Sequence, residues 1–352
     1  MIPITKSALA LTAAMMVYTN APAAVAQPAT GAQRPVAIGY VPAFKNMDAV
    51  MAQADLKQYT HLNISFVNPA ADGAILNGDR FACMNDASGQ PVTDSDFRAA
   101  VSKAHENGNK ILVSLGGGYI PECSGNWAEL LKPENRPEVV RHLIALVDTY
   151  DLDGLDVDIE GVLLTEIDQA GNYTPFIAEL SQALKARGKL LTCATASYEG
   201  GMIPVSSIPY FDLVNIMAYD AIGPGWGQAG DEHSPYAQAE RDMALWRARG
   251  VAQDKLVLGV PFYGYGYGQY RSGYNFRDLL AEYGPEVFDK DVWGKRCAGC
   301  DYITYNGLET LSRKAQLGVR SGAGIMVWEI SQDTDDHRLI RTLNEAMQKA
   351  RD

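Results

Sequence analysis

Short apolar, β-rich runs alternate along this chain with longer stretches of helical periodicity. Eight runs recur: 36–43 (VAIGYVPA), 61–67 (HLNISFV), 110–116 (KILVSLG), 154–160 (GLDVDIE), 190–197 (LLTCATAS), 213–219 (LVNIMAY), 256–262 (LVLGVPF) and 324–330 (GIMVWEI). Helical patterns fall between them at 94–107, 137–150, 173–187, 234–249 and 307–318, and a last one follows at 336–349. Ser234 is expected to cap the 234–249 helix, with Pro235 in its first turn. The interval 198–212 has room for only a short turn or two.

Alternating strands and helices imply parallel strands joined by right-handed crossovers. Eight such units close into an α/β fold, a single-domain (β/α)8 TIM barrel. A doubly wound open sheet would show a Gly-rich turn after the first strand, where this chain reads VPAFKN. One connection is oversized. Residues 263–306 form an enlarged loop or small insertion after the seventh strand, with a short helix at 276–283. It holds Tyr265, Tyr267, Tyr270, Tyr274 and Trp293, as a wall of a substrate cleft or as an aromatic mini-core.

The chain has 352 residues, 47% of them hydrophobic, enough for a large core. Its net charge of -12 argues against nucleic acid and polyanionic sugars, while a neutral glycan would be indifferent to it. Lys6, an apolar stretch over 8–17 and Ala24-Val25-Ala26 form the pattern of a signal peptide over 1–26. Residues 27–34 then read as a polar linker and 35–352 as the catalytic domain. The apolar stretch is shorter than the ~20 residues a membrane span needs, so stable insertion after cleavage is not expected. The expected location is secreted or periplasmic. Export permits disulfides. Cys297 and Cys300 lack the context of a redox or zinc motif and suit a local bridge. Cys83 and Cys123 form a candidate second pair, and Cys193 lies in an apolar run as a buried free thiol.

The fourth run carries the chemistry. Residues 153–160 read D-G-L-D-V-D-I-E. Side chains alternate along a strand, so Asp156, Asp158 and Glu160 share one face, and Leu155, Val157 and Ile159 the other. If the apolar set packs on helices, the three carboxylates point into the barrel. Asp153 has the opposite parity and serves the strand's start. Like charges in a buried place raise one another's pKa values, which keeps a carboxylic acid protonated for use as a general acid. Glu160 is outermost, nearest the rim where barrel active sites sit, and is the expected proton donor. An EF-hand metal loop is excluded by the position of Gly154, and no His lies in the stretch.

D-G-L-D-V-D-I-E resembles the D-x-x-D-x-D-x-E pattern of glycoside hydrolase family 18, the family of many chitinases. Ser114-Leu115-Gly116-Gly117 resembles that family's strand-three S-x-G-G, and Met217-Ala218-Tyr219-Asp220 its strand-six M-x-Y-D. The stretch from Gly259 through Tyr263 to Gly264 resembles its strand-seven motif, and Trp328 stands in place of its strand-eight tryptophan. The resemblance implies that Glu160 protonates the glycosidic oxygen and Asp158 holds the substrate's N-acetyl group. Asp156 would share a proton or hydrogen bond with Asp158. Tyr219 would donate to the acetamide oxygen, and Trp328 would floor the reacting sugar's subsite. Met217, Asp220 and Tyr263 go with the substrate-binding set through their motifs. Tyr40 and Phe66 join it from the ends of the first two strands. Gly117 is placed there too, though Gly116 and Gly117 also suit tight packing. Trp226 and Trp127 in rim loops could stack on sugar rings. Ile159 and Gly161-Val162 depart from the aromatic surroundings many chitinases give the acid, which leaves substrate choice open.

The implied reaction is retaining hydrolysis of β-1,4-linked N-acetylglucosamine polymers, with the substrate's own acetamide as nucleophile. The alternatives are an endo-β-N-acetylglucosaminidase on N-glycans or peptidoglycan-type chains and a non-catalytic sugar-binding protein. The expected partner is a polysaccharide or oligosaccharide containing N-acetylglucosamine. No cofactor or metal is expected, and the chain is expected to be a monomer.

Overall fold

The computed structural model describes residues 34–351, together with residues 1 and 3. The signal peptide expected over 1–26 and the linker over 27–34 lie outside the described residues, apart from positions 1, 3 and 34. Eight parallel strands close into a barrel: β1 (Val36–Pro42), β2 (His61–Val67), β3 (Lys110–Gly117), β4 (Gly154–Ile159), β5 (Leu190–Thr195), β6 (Leu213–Ile216), β7 (Leu256–Pro261) and β8 (Gly324–Trp328). Each strand pairs with its sequence neighbours, and β8 closes on β1, where Val36 faces Gly324. Seven fall within the apolar runs of the sequence, and β3 overruns its own by one residue, Gly117.

Alternation works as expected on β4. Leu155, Val157 and Ile159 are buried in the main apolar core, against the surrounding helices. Asp156 and Asp158 are equally buried but face the interior. Asp153 serves the strand's start: its Oδ2 accepts the Ile111 N–H at 2.9 Å and lies 3.0 Å from His105 Nε2.

The helices expected from periodicity form at Asp94–Glu106, Arg136–Tyr150, Tyr173–Lys185, Tyr236–Ala248, Leu308–Ser321 and Arg338–Lys349. The interval after β5 holds only a short 3-10 helix, Val205–Tyr210. Ser234 does not cap Tyr236–Ala248. Its hydroxyl donates to the Ala218 carbonyl at 2.7 Å, and its own carbonyl accepts from the buried Lys314 ammonium. A hydroxyl held by tertiary partners is not free to turn toward the helix. Helices Met47–Gln53 and Gly161–Gln169 and an antiparallel sheet of Leu76–Asn77, Arg80–Asn85 and Pro91–Thr93 add to the expected pattern.

The long connection after β7 is a small subdomain. Its sheet runs Tyr274–Asn275, Tyr263–Tyr267, Tyr302–Thr304, Val292–Gly294, and its helix is Phe276–Tyr283. A reciprocal capping box between Asn275 and Asp278 starts that helix. The aromatic mini-core dominates: Tyr267 stacks on Tyr302, and Tyr283 packs against Tyr270, Tyr274 and Trp293. Only its first residue, Tyr263, reaches the cleft described below. Cys297 bridges Cys300, Cys83 bridges Cys123 across 40 positions of sequence, and Cys193 is a buried free thiol.

Candidate active site

Asp156 sits at the bottom of an acidic ladder, fully buried and in register with Ser114 of β3 and Thr192 of β5. Its Oδ2 accepts from Tyr40 Oη and Ser114 Oγ, both at 2.7 Å. Its Oδ1 accepts from Thr192 Oγ1 at 2.5 Å and Asn215 Nδ2 at 3.4 Å. That occupies all four of its acceptor positions. The hydrogen bond expected between Asp156 and Asp158 is therefore absent among the described residues. Burial raises the Asp156 pKa, and the hydroxyls of Thr192, Tyr40 and Ser114 pull it back. The outcome is a fixed polar floor rather than a group free to move.

Asp158, one step up, is in the opposite condition. It is 3% exposed, and its Oδ1 is buried with no hydrogen-bond partner. Burial pushes its pKa well up, and the charges of Glu160 and Asp156 add to this. In register across from it on β3 is Gly116, which supplies no side chain to crowd it. Glu160 follows the strand, at the residue where helix Gly161–Gln169 begins. Burial, with the nearby charge of Asp220, raises its pKa to about 7. A charge on Glu160 thus favours the protonated form of Asp158, whereas the proton of Glu160 itself is held by burial and by Asp220.

Tyr219 comes from the chain just beyond β6. It is buried, and burial raises its hydroxyl pKa well above the usual phenol value. The sole hydrogen-bond contact of its hydroxyl among the described residues is the Met326 sulfur at 3.8 Å, a weak acceptor. It is thus a donor with its proton held and little to give it to. Asp220 has a left-handed backbone (φ 58°), and its Oδ1 accepts from Tyr263 Oη at 2.5 Å.

These groups open onto one cleft of about 1310 Å³, lined by Asp158, Glu160, Tyr219, Asp220, Tyr263 and Trp328 among others. Phe66 and Met217 also line it. Trp328 stacks on Phe66 with centroids 5.7 Å apart and is flanked by Tyr40 at 5.4 Å. The Ser65–Phe66 and Trp328–Glu329 peptides are both cis.

Three expected substrate contacts are corrected. Tyr40 is 1% exposed and lies beneath the cleft, where its hydroxyl is committed to Asp156. Gly117 does not line the cleft. Its φ is 100°, and an added Cβ would stand 2.7 Å from the Phe66 ring, so its part is close packing. Trp127 is not on the rim: it is 1% exposed, with its indole N–H donating to Asn68 Oδ1 at 2.7 Å. Trp226, by contrast, is half-exposed on the cleft wall and meets Tyr265 edge-on. Phe44, Tyr119 and Tyr198 also line the cleft as exposed aromatics, and sequence reasoning missed them. They stand on connections whose course periodicity does not describe. An aromatic just past a strand's C-terminal end was the available signal.

The fold recurs in a crystal structure of a GH18 chitinase from the chitin utilization locus of Flavobacterium johnsoniae. The two share 30% sequence identity and a TM-score of 0.75, over 90% of this chain and 95% of that one. A class V chitinase of Arabidopsis thaliana is 26% identical over 344 residues, 83% of this chain and 85% of its own length. A probable chitinase of Drosophila melanogaster is 26% identical over 328 residues, 74% of this chain, but this chain spans only 14% of that longer protein. The model of "Glycosyl hydrolases family 18" matches residues 36–333, which include the whole acidic ladder and every cleft residue named above. The chain belongs to that family and is a glycoside hydrolase.

Proposed function

We propose that this protein is a retaining chitinase that hydrolyses β-1,4-linked N-acetylglucosamine chains with help from the substrate's acetamide. One observation carries the reading. An unpartnered carboxylate oxygen on Asp158 and an underused hydroxyl on Tyr219 face the same cleft as the raised-pKa acid Glu160. An acceptor and a donor in that arrangement complement the N–H and C=O of an acetamide. Glu160 protonates the glycosidic oxygen, and the acetamide oxygen attacks the anomeric carbon as the leaving sugar departs. Asp158 stabilises the positive ring so formed, and Glu160, now ionised, draws a proton from the water that opens it. A second carboxylate nucleophile is not needed. Tyr40, Ser114 and Thr192 hold Asp156 as the rigid base of this arrangement. Trp328 offers a ring face as the floor for the reacting sugar. The leader over 1–26 is read as directing export, so the enzyme meets its polymer outside the cytoplasm.

The test is hydrolysis of N-acetylglucosamine oligomers, with the anomer of the first product read by NMR. Retention is expected, and Glu160→Gln should lower kcat by ~10²–10⁴, the scale of a lost general acid. An inverted product, or a fully deacetylated oligomer cleaved as fast as the acetylated one, would refute acetamide participation.

A further inference from the structure

Helix Tyr236–Ala248 turns one face to the barrel, and that face is not all apolar. Ala239, Met243 and Trp246 are buried there, and so are Gln238 and Asp242. The last two are four residues apart, hence neighbours on the helix surface. Both line the cleft, and both are more than nine-tenths buried. Gln238 Oε1 and Asp242 Oδ2 are buried without a hydrogen-bond partner. Leaving such acceptors buried and unpaired is unfavourable, so a donor that reached them would be held. None of the mechanism above uses either residue.

The pair is acceptor-rich. The Gln238 amide N–H points to the Tyr219 carbonyl at 3.4 Å, which leaves its oxygen as the free end. That contact also places the pair next to the pocket for the reacting sugar. Arg241 lines the cleft beside them, but no ion pair joins it to Asp242 among the described residues. Burial pushes the Asp242 carboxyl up to about 6, against the pull of Gln238, Arg241, Ser197 and Lys314. A ligand suited to two acceptors, one of them a carboxylate, is a donor, and a cationic donor best of all. On a chain of N-acetylglucosamine the group that meets this description is the 2-ammonium of a unit that has lost its acetyl group. An N-acetyl group there would bring one neutral N–H and a methyl.

We propose that Gln238 and Asp242 form a subsite for the ammonium of a glucosamine unit next to the acetylated sugar that reacts. This rests on the chitinase reading above and names its substrate more closely, as partly deacetylated chains.

The test compares kcat/KM on a fully acetylated hexamer with that on hexamers carrying one glucosamine at a defined position, for the native enzyme and D242N. The native enzyme should favour a glucosamine at one position beside the cleaved bond, read by mass spectrometry of the products. D242N keeps the shape and removes the charge. It should lower the ratio of the two kcat/KM values about tenfold, the low end for a hydrogen bond to a charged group. An unchanged ratio, or products with no glucosamine enrichment beside the cleaved bond, overturns the proposal. If D242N does not fold, Gln238→Ala is the second variant, and the same ratio should fall. A native enzyme that leaves the acetylated hexamer intact refutes the chitinase reading. In that event calorimetric binding of a glucosamine tetramer to native protein and D242N still decides the subsite, since equal affinities overturn it.

Discussion

Replacing Tyr219 by Phe removes one oxygen and nothing else from the site. The ring stays, and with it the edge-on contact to Tyr263, whose centroid lies 6.1 Å away. In the free protein the one hydrogen-bond contact of the hydroxyl among the described residues is the Met326 sulfur at 3.8 Å. A contact that long and soft contributes at most about 0.5 kcal/mol, below the usual 0.5–1.5 kcal/mol for a protein hydrogen bond. Removing the hydroxyl also takes a buried polar group out of the core, which offsets part of that loss. Folding stability should therefore change by less than about 1 kcal/mol. Catalysis should respond differently. As the acetamide oxygen attacks, its carbonyl must be held in line with the anomeric carbon, and a donor in a buried site is worth about 2.7–4 kcal/mol when it acts on the reacting group. Tyr219→Phe should thus lower kcat by ~10²–10³ while the denaturant midpoint barely moves. The assay pairs urea unfolding, followed by tryptophan fluorescence, with steady-state hydrolysis of an N-acetylglucosamine tetramer. A kcat within threefold of native would refute the role given to the hydroxyl. A large loss of stability would show instead that Met326 and Tyr219 form a structural contact stronger than its length implies.

Three other outcomes follow from the same geometry. Glu160 must be protonated to act as an acid, so kcat should fall as pH rises through about 7. The charge of Asp220 helps to hold that pKa up, so Asp220→Asn should move the falling limb of the pH–rate profile to lower pH; a limb that stays or moves up contradicts the electrostatic account. Gly118→Ala would put a Cβ 2.9 Å from Glu160 Oε1, at a backbone that other residues can adopt. The carboxyl should shift by a few tenths of an ångström, cutting kcat about tenfold with little change in thermal stability, since misplacement of ~1 Å costs ~10²; native activity in this variant would mean the acid tolerates displacement.

Much of the fold was legible because its signals are local. A strand buried on both faces reads as an apolar run, and a core-facing helix as a 3.6-residue period, wherever in the molecule they end up. The eight strands, the six main helices and the short helix Phe276–Tyr283 all followed from such patterns. Period-two alternation also separated Asp156 and Asp158 from Leu155, Val157 and Ile159, and set Asp153 apart at the strand's start. The acidic ladder was thus determined by the sequence of one strand, given only that the strand closes into a barrel.

What the sequence left open depends on partners distant along the chain. Nothing near Tyr40 indicates that its hydroxyl will meet Asp156, 116 residues away, rather than a sugar. Nothing near Trp127 indicates that it will be sealed against Asn68. Ser234 has the residue type of a cap, but Ala218 and Lys314 claim it. The same holds for Asp242 and Gln238, which look like ordinary polar positions on a surface helix until the barrel turns them inward. Glu160 is acidic in the sequence alone. Its proton at neutral pH comes from burial and from Asp220, 60 positions later, because a charge is destabilised by the field and low polarizability of everything folded around it, and only the tertiary structure determines what that is.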